Sequence, residues 1–267
     1  MRLHRPVAAA ALALGIAACT QPPAPAPAPP PRAIDTPRAL VARMRETWNG
    51  RYFRTMSFRQ KNTLYLRDGG EQASEWLEYQ LVPRKLRIEF LPAEPKNGIL
   101  FRDNRQYSFT NGRLADERPL VHPLLLLSAD VYALPVDTTM ADLAATRIDT
   151  TRLHESTWEG RRAYVVGAAP GDTTTSQFWV DAERMLLLRL LQRNTNAQGR
   201  ATVVENRFTY QDVGGVAVPK VITFLRDGRP YWREEYTDVR LNPPLDEALF
   251  DPAQWTARFG AAPVATP

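Results

Sequence analysis

The residue types that most often carry catalysis are few in this chain, and their spacing is poor. Of the three histidines, His122 precedes a proline and is expected to begin a helix, and His154 opens the run His-Glu-Ser at 154–156. That run is predicted to lie on a strand, where successive side chains point to opposite faces and cannot form a relay. The same alternation separates Glu234 from Glu235, which argues against a paired-carboxylate site. We therefore expect no catalytic residues, no metal site, no cofactor and no enzymatic activity.

Cys19 carries the clearest chemical signal because it is the only cysteine in the chain. A cationic start and an apolar stretch, Val7 to Ile16, come before it, as in a secretory signal. The stretch is about half of the roughly 20 residues that a membrane-spanning helix needs. The segment Ile16-Ala17-Ala18-Cys19 resembles the bacterial lipobox. In proteins with that motif, the cysteine thiol receives a diacylglycerol, and the signal peptide is cleaved so that this cysteine becomes the first residue of the mature protein. We expect Cys19 to be the lipid attachment site; the alternative is an ordinary signal peptide with a chance cysteine.

Composition divides the chain into four regions. Residues 1–18 are the predicted signal peptide, and residues 19–33 form a tether of proline and alanine, which favours extended polyproline conformation. Residues 34–256 can bury one core and are expected to form a single β-rich domain, followed by a flexible tail at 257–267. A lone cysteine allows no disulfide within the chain. The net charge of +5 comes with arginines interspersed among carboxylates, so nucleic acid is not an expected partner.

The elements of the domain can be read from its apolar periodicity. Helical spacing predicts a helix from Pro37 to Trp48, with Thr36 as its cap. Strict alternation predicts a half-buried strand at Lys85–Leu91, with Lys85, Arg87 and Glu89 facing solvent. Similar strands joined by tight turns predict an antiparallel meander of about ten or eleven strands. Two short helices interrupt it, one from Pro123 to about Ala133 and one capped by Thr139.

The strands carry more large apolar side chains than a few helices can cover. Either the sheet curls nearly closed, or part of one face is left for a ligand; the alternative is that these side chains are ordinary core. The cavity candidates are Phe90, Tyr107, Phe109, Tyr164, Phe178, Leu188, Phe208, Phe224 and Trp232. The lid candidates, from the inserted helices, are Leu124, Leu125, Leu127 and Leu143.

Four segments resemble the LolA/LolB-like superfamily, which includes outer-membrane lipoprotein-sorting proteins. They are WLEYQLVPRKLRIEF (76–90), FWVDAERMLLLRLLQ (178–192), VGGVAVPKVITFLRDGR (213–229) and LNPPLDEALFDP (241–252). The resemblance implies a mainly β, α+β fold: a curved antiparallel sheet or incomplete β-barrel wrapped around the N-terminal helix. It also implies a hydrophobic cavity that accepts acyl chains, without covalent chemistry.

Together these features predict a membrane-anchored periplasmic lipoprotein that binds lipid acyl chains or lipoproteins for sorting or transfer. Thr20 follows the cysteine in place of the aspartate that often signals inner-membrane retention, which favours the periplasmic face of the outer membrane. The expected partners are lipid or lipoprotein acyl chains and, through the lipid anchor, the membrane. A periplasmic protein that delivers the ligand is a further possible partner. Two alternatives also stay open: a periplasmic sensor on the same fold, and a structural lipoprotein with a filled core.

Overall fold

The computed structural model describes residues 33–195 and 197–260, and its first element is the predicted helix. Helix α1 spans Pro37–Trp48, and the hydroxyl of Thr36 caps it by accepting the backbone N–H of Ala39 at 3.1 Å. Pro37 fits the first turn because its missing N–H would have no partner there. One face of the helix is buried, as the spacing predicts, through Leu40, Val41, Met44 and Trp48.

Within the part of the chain that the structure describes, thirteen antiparallel strands form one sheet. They are β1 (Thr55–Tyr65), β2 (Glu71–Leu81), β3 (Lys85–Leu91), β4 (Gly98–Arg102), β5 (Arg105–Thr110), β6 (Arg113–Pro119), β7 (Leu153–Trp158), β8 (Arg161–Val166), β9 (Gln177–Asp181), β10 (Leu187–Thr195), β11 (Ala201–Val213), β12 (Val216–Arg226) and β13 (Arg229–Leu241). Two meanders, β1–β6 and β7–β13, join where β1 pairs with β13. The sheet is not closed, because β6 and β7 are its two edges within the described residues.

The mainly β prediction is confirmed, but the predicted number of ten or eleven strands is wrong. Strand β6 was not expected, because all seven of its residues are exposed and show no apolar alternation. It pairs only with β5 and forms an edge of the sheet. Charged side chains are characteristic of such an edge, where they discourage pairing with other chains.

Two short helices connect the meanders. Helix α2 spans Pro123–Ser128, a short 3₁₀ helix follows at Asp130–Tyr132, and α3 spans Val136–Ala144. The prediction that Thr139 caps the second helix is wrong: Pro135 occupies the cap position, and the Thr139 hydroxyl donates to the Pro135 carbonyl from inside the helix. None of the helices described in 33–195 and 197–260 has the length and hydrophobicity that crossing a membrane requires.

The two faces of the sheet have different covers. We call the face that carries α1, α2 and α3 the inner face. Over the second meander its core is filled by helix residues together with strand residues such as Phe178 and Phe208. The opposite, outer face of β2–β5 is covered by the C-terminal segment, 242–260, which includes short 3₁₀ helices at Glu247–Phe250 and Pro252–Gln254.

Trp255 anchors the C-terminal segment on the outer face. It is 1% exposed and stacks on Phe109 with ring centroids 4.2 Å apart. A Cβ at Gly98 would come within 2.7 Å of the Trp255 ring and 2.1 Å of the Ile88 carbonyl oxygen, so this close approach requires glycine. Gly260 donates its N–H to Glu89 at 2.9 Å. The packed part of the chain therefore extends past the boundary predicted at residue 256.

This cover corrects the prediction that β3 is half-buried. Arg87 and Glu89 are fully buried, and the guanidinium Nε donates to a Glu89 oxygen at 2.6 Å. The same guanidinium donates to the carbonyls of Leu249 and Trp255 at 2.9 and 2.8 Å. Because every polar group in the set has a partner, the burial of this charge pair is offset.

Candidate functional site

A cavity of about 240 Å³ lies on the inner face where the two meanders meet, beneath α2. It exists because α1 and α3 pack over the second meander, which leaves the six residues of α2 over this part of the first meander. The lining residues are Phe58, Gln60, Trp76, Glu78, Gln80, Leu86, Ile88, Ile99, Phe101, His122, Leu124, Leu125, Ser128, Ile222, Phe224, Glu234 and Tyr236.

Aromatic rings form much of the wall. Phe58 and Tyr236, on the paired strands β1 and β13, stack with centroids 4.2 Å apart. Trp76 contacts Phe90 at 5.0 Å and Trp232 at 5.5 Å, which places these two rings beside the lining tryptophan. The wall therefore offers apolar surface that can release water when a ligand binds.

Helix α2 forms the roof, and His122 fixes where it begins. The imidazole Nδ1 accepts the backbone N–H of Leu125 at 3.2 Å, so His122 is the helix-entry residue that the sequence predicts. Its ring meets Phe101 edge-on at 4.6 Å. Burial lowers the pKa of His122 to about 4, so the imidazole is neutral near neutral pH.

Two turns of the first meander hold the roof in place. The turn between β2 and β3 provides Arg84, whose N–H donates to Asp130 at 2.9 Å and whose guanidinium pairs with Asp142. The turn between β4 and β5 provides Asn104, whose amide donates to Asp142 at 2.9 Å. Burial raises the pKa of Asp130 to about 7, against the opposing influence of Arg84. These contacts tie α3 and the 3₁₀ helix beside α2 to the sheet.

The floor of the cavity is polar. Strand β1 contributes Gln60, which donates to Asn62 at 2.7 Å and hydrogen-bonds Glu234 of β13. The Trp232 indole N–H also donates to Glu234, at 3.1 Å. Glu78 of β2 is 2% exposed, and its Oε1 has no hydrogen-bond partner.

Both floor carboxyls resist ionisation. Burial raises the pKa of Glu78 well above its usual value, and the charge of Glu234 adds to this. Burial raises the pKa of Glu234 to about 7, although the hydrogen bonds from Trp232 and Gln60 oppose the shift. Within the described part of the chain, no lysine or arginine lines the cavity. The floor therefore offers hydrogen-bonding groups without a cation to neutralise them.

Two larger depressions, of about 580 and 440 Å³, are shallower and lie outside the roofed region. Their linings include charged side chains, Arg54 and Glu247 in one and Arg59 and Asp238 in the other. No group of three or more metal-ligating side chains is assembled within residues 33–195 and 197–260. The roofed cavity is the better ligand site, because an apolar wall and a few polar groups converge there.

The solved structures that are similar to this chain include the following three. A LolA superfamily protein from Nitrosomonas europaea matches with a TM-score of 0.52 and 14% identity, over 81% of this chain and 97% of its own. A domain from Vibrio parahaemolyticus, named as an outer membrane lipoprotein-sorting protein domain, matches with a TM-score of 0.55 and 10% identity, over 81% and 97%. A DUF1329 family protein from Desulfovibrio piger matches with a TM-score of 0.53 and 14% identity, over 80% and 95%.

The chain has a LolA-like fold. At 10–14% identity the likeness concerns the fold alone. Neither a protein-family model nor a curated protein matches the chain. The resemblance inferred from the four sequence segments is thus confirmed as a resemblance of fold.

The LolA-like sheet brings some of the predicted cavity residues together and separates others. Phe224, Leu124 and Leu125 line the cavity, and Phe90 and Trp232 lie beside it. Cys19 lies outside the described residues. The other candidates lie elsewhere, in two groups that require correction.

The first group belongs to the filled core between the second meander and the helices: Tyr164, Phe178 and Phe208 from the strands, Leu127 from α2 and Leu143 from α3. The helix residues already occupy the space over these strand positions. The second group, Tyr107, Phe109 and Leu188, lies on the outer face. A shift of register between Leu187 and Arg189 moves Leu188 off the expected face, and the C-terminal segment covers the other two.

The polar floor of the cavity was not predicted from the sequence. In β2, Leu77, Tyr79 and Leu81 look like the buried parity, which would send Glu78 to solvent. Both faces of β2 are in fact covered, the first by the C-terminal segment and the second by the cavity roof. The signal that could have revealed this is Trp76, a large aromatic residue of the same parity as Glu78.

Proposed function

We propose that this protein holds an acyl chain of a lipid or lipoprotein in the cavity beneath α2, for sorting or transfer at the cell envelope. The main support for the proposal is the cavity itself, because a mostly apolar space covered by a short helix can enclose a single acyl chain. A structural lipoprotein with a filled core would have no use for such a space.

Burial of the chain supplies the binding energy. Each methylene group that leaves water contributes about 0.8 kcal/mol, so a short alkyl chain suffices for measurable affinity. Ligand pockets usually measure about 300–1,000 Å³, and the cavity of about 240 Å³ is at or below the lower end of that range. A cargo with two or three chains therefore requires α2 to move away from the sheet.

The proposed localisation at the cell envelope is supported by the N-terminal residues and by the fold. The lipobox-like segment ending at Cys19 predicts a lipid anchor. One of the similar structures is named for outer membrane lipoprotein sorting. We infer that the domain is held at a membrane surface, where acyl chains are exchanged between carriers and the bilayer.

The test measures binding of a fluorescent long-chain alcohol to the full chain carrying Cys19→Ser, which cannot be acylated at that position. Native mass spectrometry of the same protein reports any co-purified lipid. We expect saturable binding at one site, with displacement by unlabelled octanol. Protein that carries no added mass and takes up no alcohol would contradict the proposal.

A matched pair of variants places the binding in the cavity. Phe224→Arg puts a charged side chain into the space that the alkyl chain needs and should reduce binding at least tenfold, because the chain would have to desolvate a guanidinium. Leu114→Arg makes the same change on β6, where Leu114 is 50% exposed, and should leave binding unchanged. If both variants are folded and bind the alcohol equally well, the alcohol does not bind in the cavity and the proposal is contradicted.

A further inference from the structure

The cavity of this protein contains two carboxyl groups that come from different strands. Strand β1 lies between them: Glu78 of β2 is opposite Phe58, and Glu234 of β13 is opposite Asn62. Both lie on the inner face and line the cavity. An apolar wall with two acidic groups in its floor is an unusual surface for an acyl chain alone.

Elsewhere in the described residues, most buried carboxyls pair with arginine, and the exception, Asp130, accepts the backbone N–H of Arg84. Glu89 pairs with Arg87 at 2.6 Å, and Glu205 pairs with Arg189 at 2.6 Å. Buried carboxylates in proteins are normally neutralised in this way, since an uncompensated buried charge is costly. The sequence therefore supplies an arginine partner for most of the buried carboxyls outside the cavity.

The cavity floor departs from that pattern. No lysine or arginine lines the cavity within the described part of the chain. Glu78 is 2% exposed, yet its Oε1 accepts no hydrogen bond. A buried acceptor without a partner is rare in folded proteins and is commonly completed by a ligand or water. Glu234 receives hydrogen bonds from Trp232 and Gln60 but meets no cation.

We propose that the ligand is an amphiphile whose head group carries a primary ammonium, which binds Glu78 and Glu234 while its apolar chain fills the cavity. The inference rests on the proposed function and adds the chemistry of the head group. An ammonium has three N–H donors and no acceptor, so it can donate to the unpartnered Oε1 of Glu78 and supplies the positive charge that the lining of the cavity lacks. An anionic head group would instead meet two acids and no basic side chain.

Three octyl ligands that differ only in the head group test this: octylamine, octanol and octanoate. Calorimetric titration into the full chain carrying Cys19→Ser, at about pH 8, should give binding of the amine about tenfold tighter than that of the alcohol, as expected for hydrogen bonds to a charged group. Octanoate should bind more weakly than octanol. Equal affinities, or a preference for octanoate, would overturn the inference and leave the acyl-chain site standing.

Variants then assign the preference to the two carboxyls. Glu78→Gln and Glu234→Gln, singly and together, keep the shape of the side chains and should remove the preference for the amine while octanol still binds. Glu235→Gln is the matched control, because Glu235 pairs with Arg233 and is of the opposite parity on β13. A preference that survives in both single variants would contradict the inference. Failure of all three ligands to bind the parent protein would refute the head-group inference and the proposed function together.

Discussion

The pH dependence of stability gives a sharp test of the cavity floor. Replacing Glu234 by glutamine keeps the size of the side chain but removes a group that titrates. Burial raises the pKa of Glu234 from 4.5 to about 7 in the folded protein. The unfolded chain, in which this burial is lost, should titrate near the ordinary value.

The sign and size follow from these two values. Below about pH 4.5 the Glu234 carboxyl is protonated in both the folded and the unfolded state, so its titration does not affect the free energy of unfolding. As the pH rises from 4.5 to about 7, the unfolded state releases the proton first, so the free energy of unfolding falls. At about 1.4 kcal/mol per pH unit the loss reaches about 3 kcal/mol. Water entering the cavity screens the charge, which makes this an upper bound.

Urea unfolding of the parent protein and of Glu234→Gln, at several values of pH between about 4 and 8, measures this loss directly. The two proteins should have similar stability near pH 4, and the variant should gain up to about 3 kcal/mol over the parent by pH 8. Asp130 also has a raised pKa, which both proteins retain. The charge of Glu234 contributes to the raised pKa of Glu78, so the difference reports position 234 together with its influence on Glu78. Stability curves that stay parallel over the whole range would refute the account of this carboxyl.

Three further predictions concern the cavity, the outer face and the anchor. Affinity for straight-chain alcohols should rise about fourfold per methylene and level off once the chain is longer than the cavity of about 240 Å³ can hold; a rise that continues to hexadecanol would show that α2 moves. Trp255→Ala should lower the free energy of unfolding by about 3–5 kcal/mol in urea titrations, whereas Leu114→Ala should change it by less than about 0.5 kcal/mol. Labelled palmitate should be incorporated into the parent chain and not into Cys19→Ser; equal labelling would contradict the lipobox assignment.

Local patterns were sufficient for much of the fold. Helix α1 and strand β3 have the predicted bounds, and His122 enters α2 as expected. In each case the deciding contacts lie within a few residues along the chain: a capping side chain, an apolar stripe or a strict alternation. Such signals are present in the sequence before any tertiary contact forms.

Burial by segments that are distant in sequence could not be predicted in the same way. The burial of Arg87 and Glu89 depends on Trp255 and Gly260, and the contact from Gly260 to Glu89 joins residues 171 apart. Nothing in the alternation of β3 indicates that a later segment packs on its polar face. The same cover buries Tyr79 of β2, while the next residue, Glu78, points to the cavity on the other face.

Only some of the predicted cavity residues lie around the cavity that the structure shows. The surplus of apolar strand residues indicates a space to be filled, and Phe224, Leu124 and Leu125 line it. Its position depends on where the helices pack, which removes Phe178 and Phe208 from the list. The acidic floor depends on the pairing of β1 with β13, a contact between the two ends of the domain.

Photo-crosslinking with an octanol that carries a diazirine on its chain tests the central claim most directly, since it reports where the chain lies. After irradiation and digestion of the Cys19→Ser protein, mass spectrometry identifies the labelled positions. We expect labels at Ile88, Leu125 and Phe224, which line the cavity. These labels should disappear when excess unlabelled octanol is present. Labels concentrated around Phe109 and Trp255 on the outer face, or no protectable label at all, would contradict it.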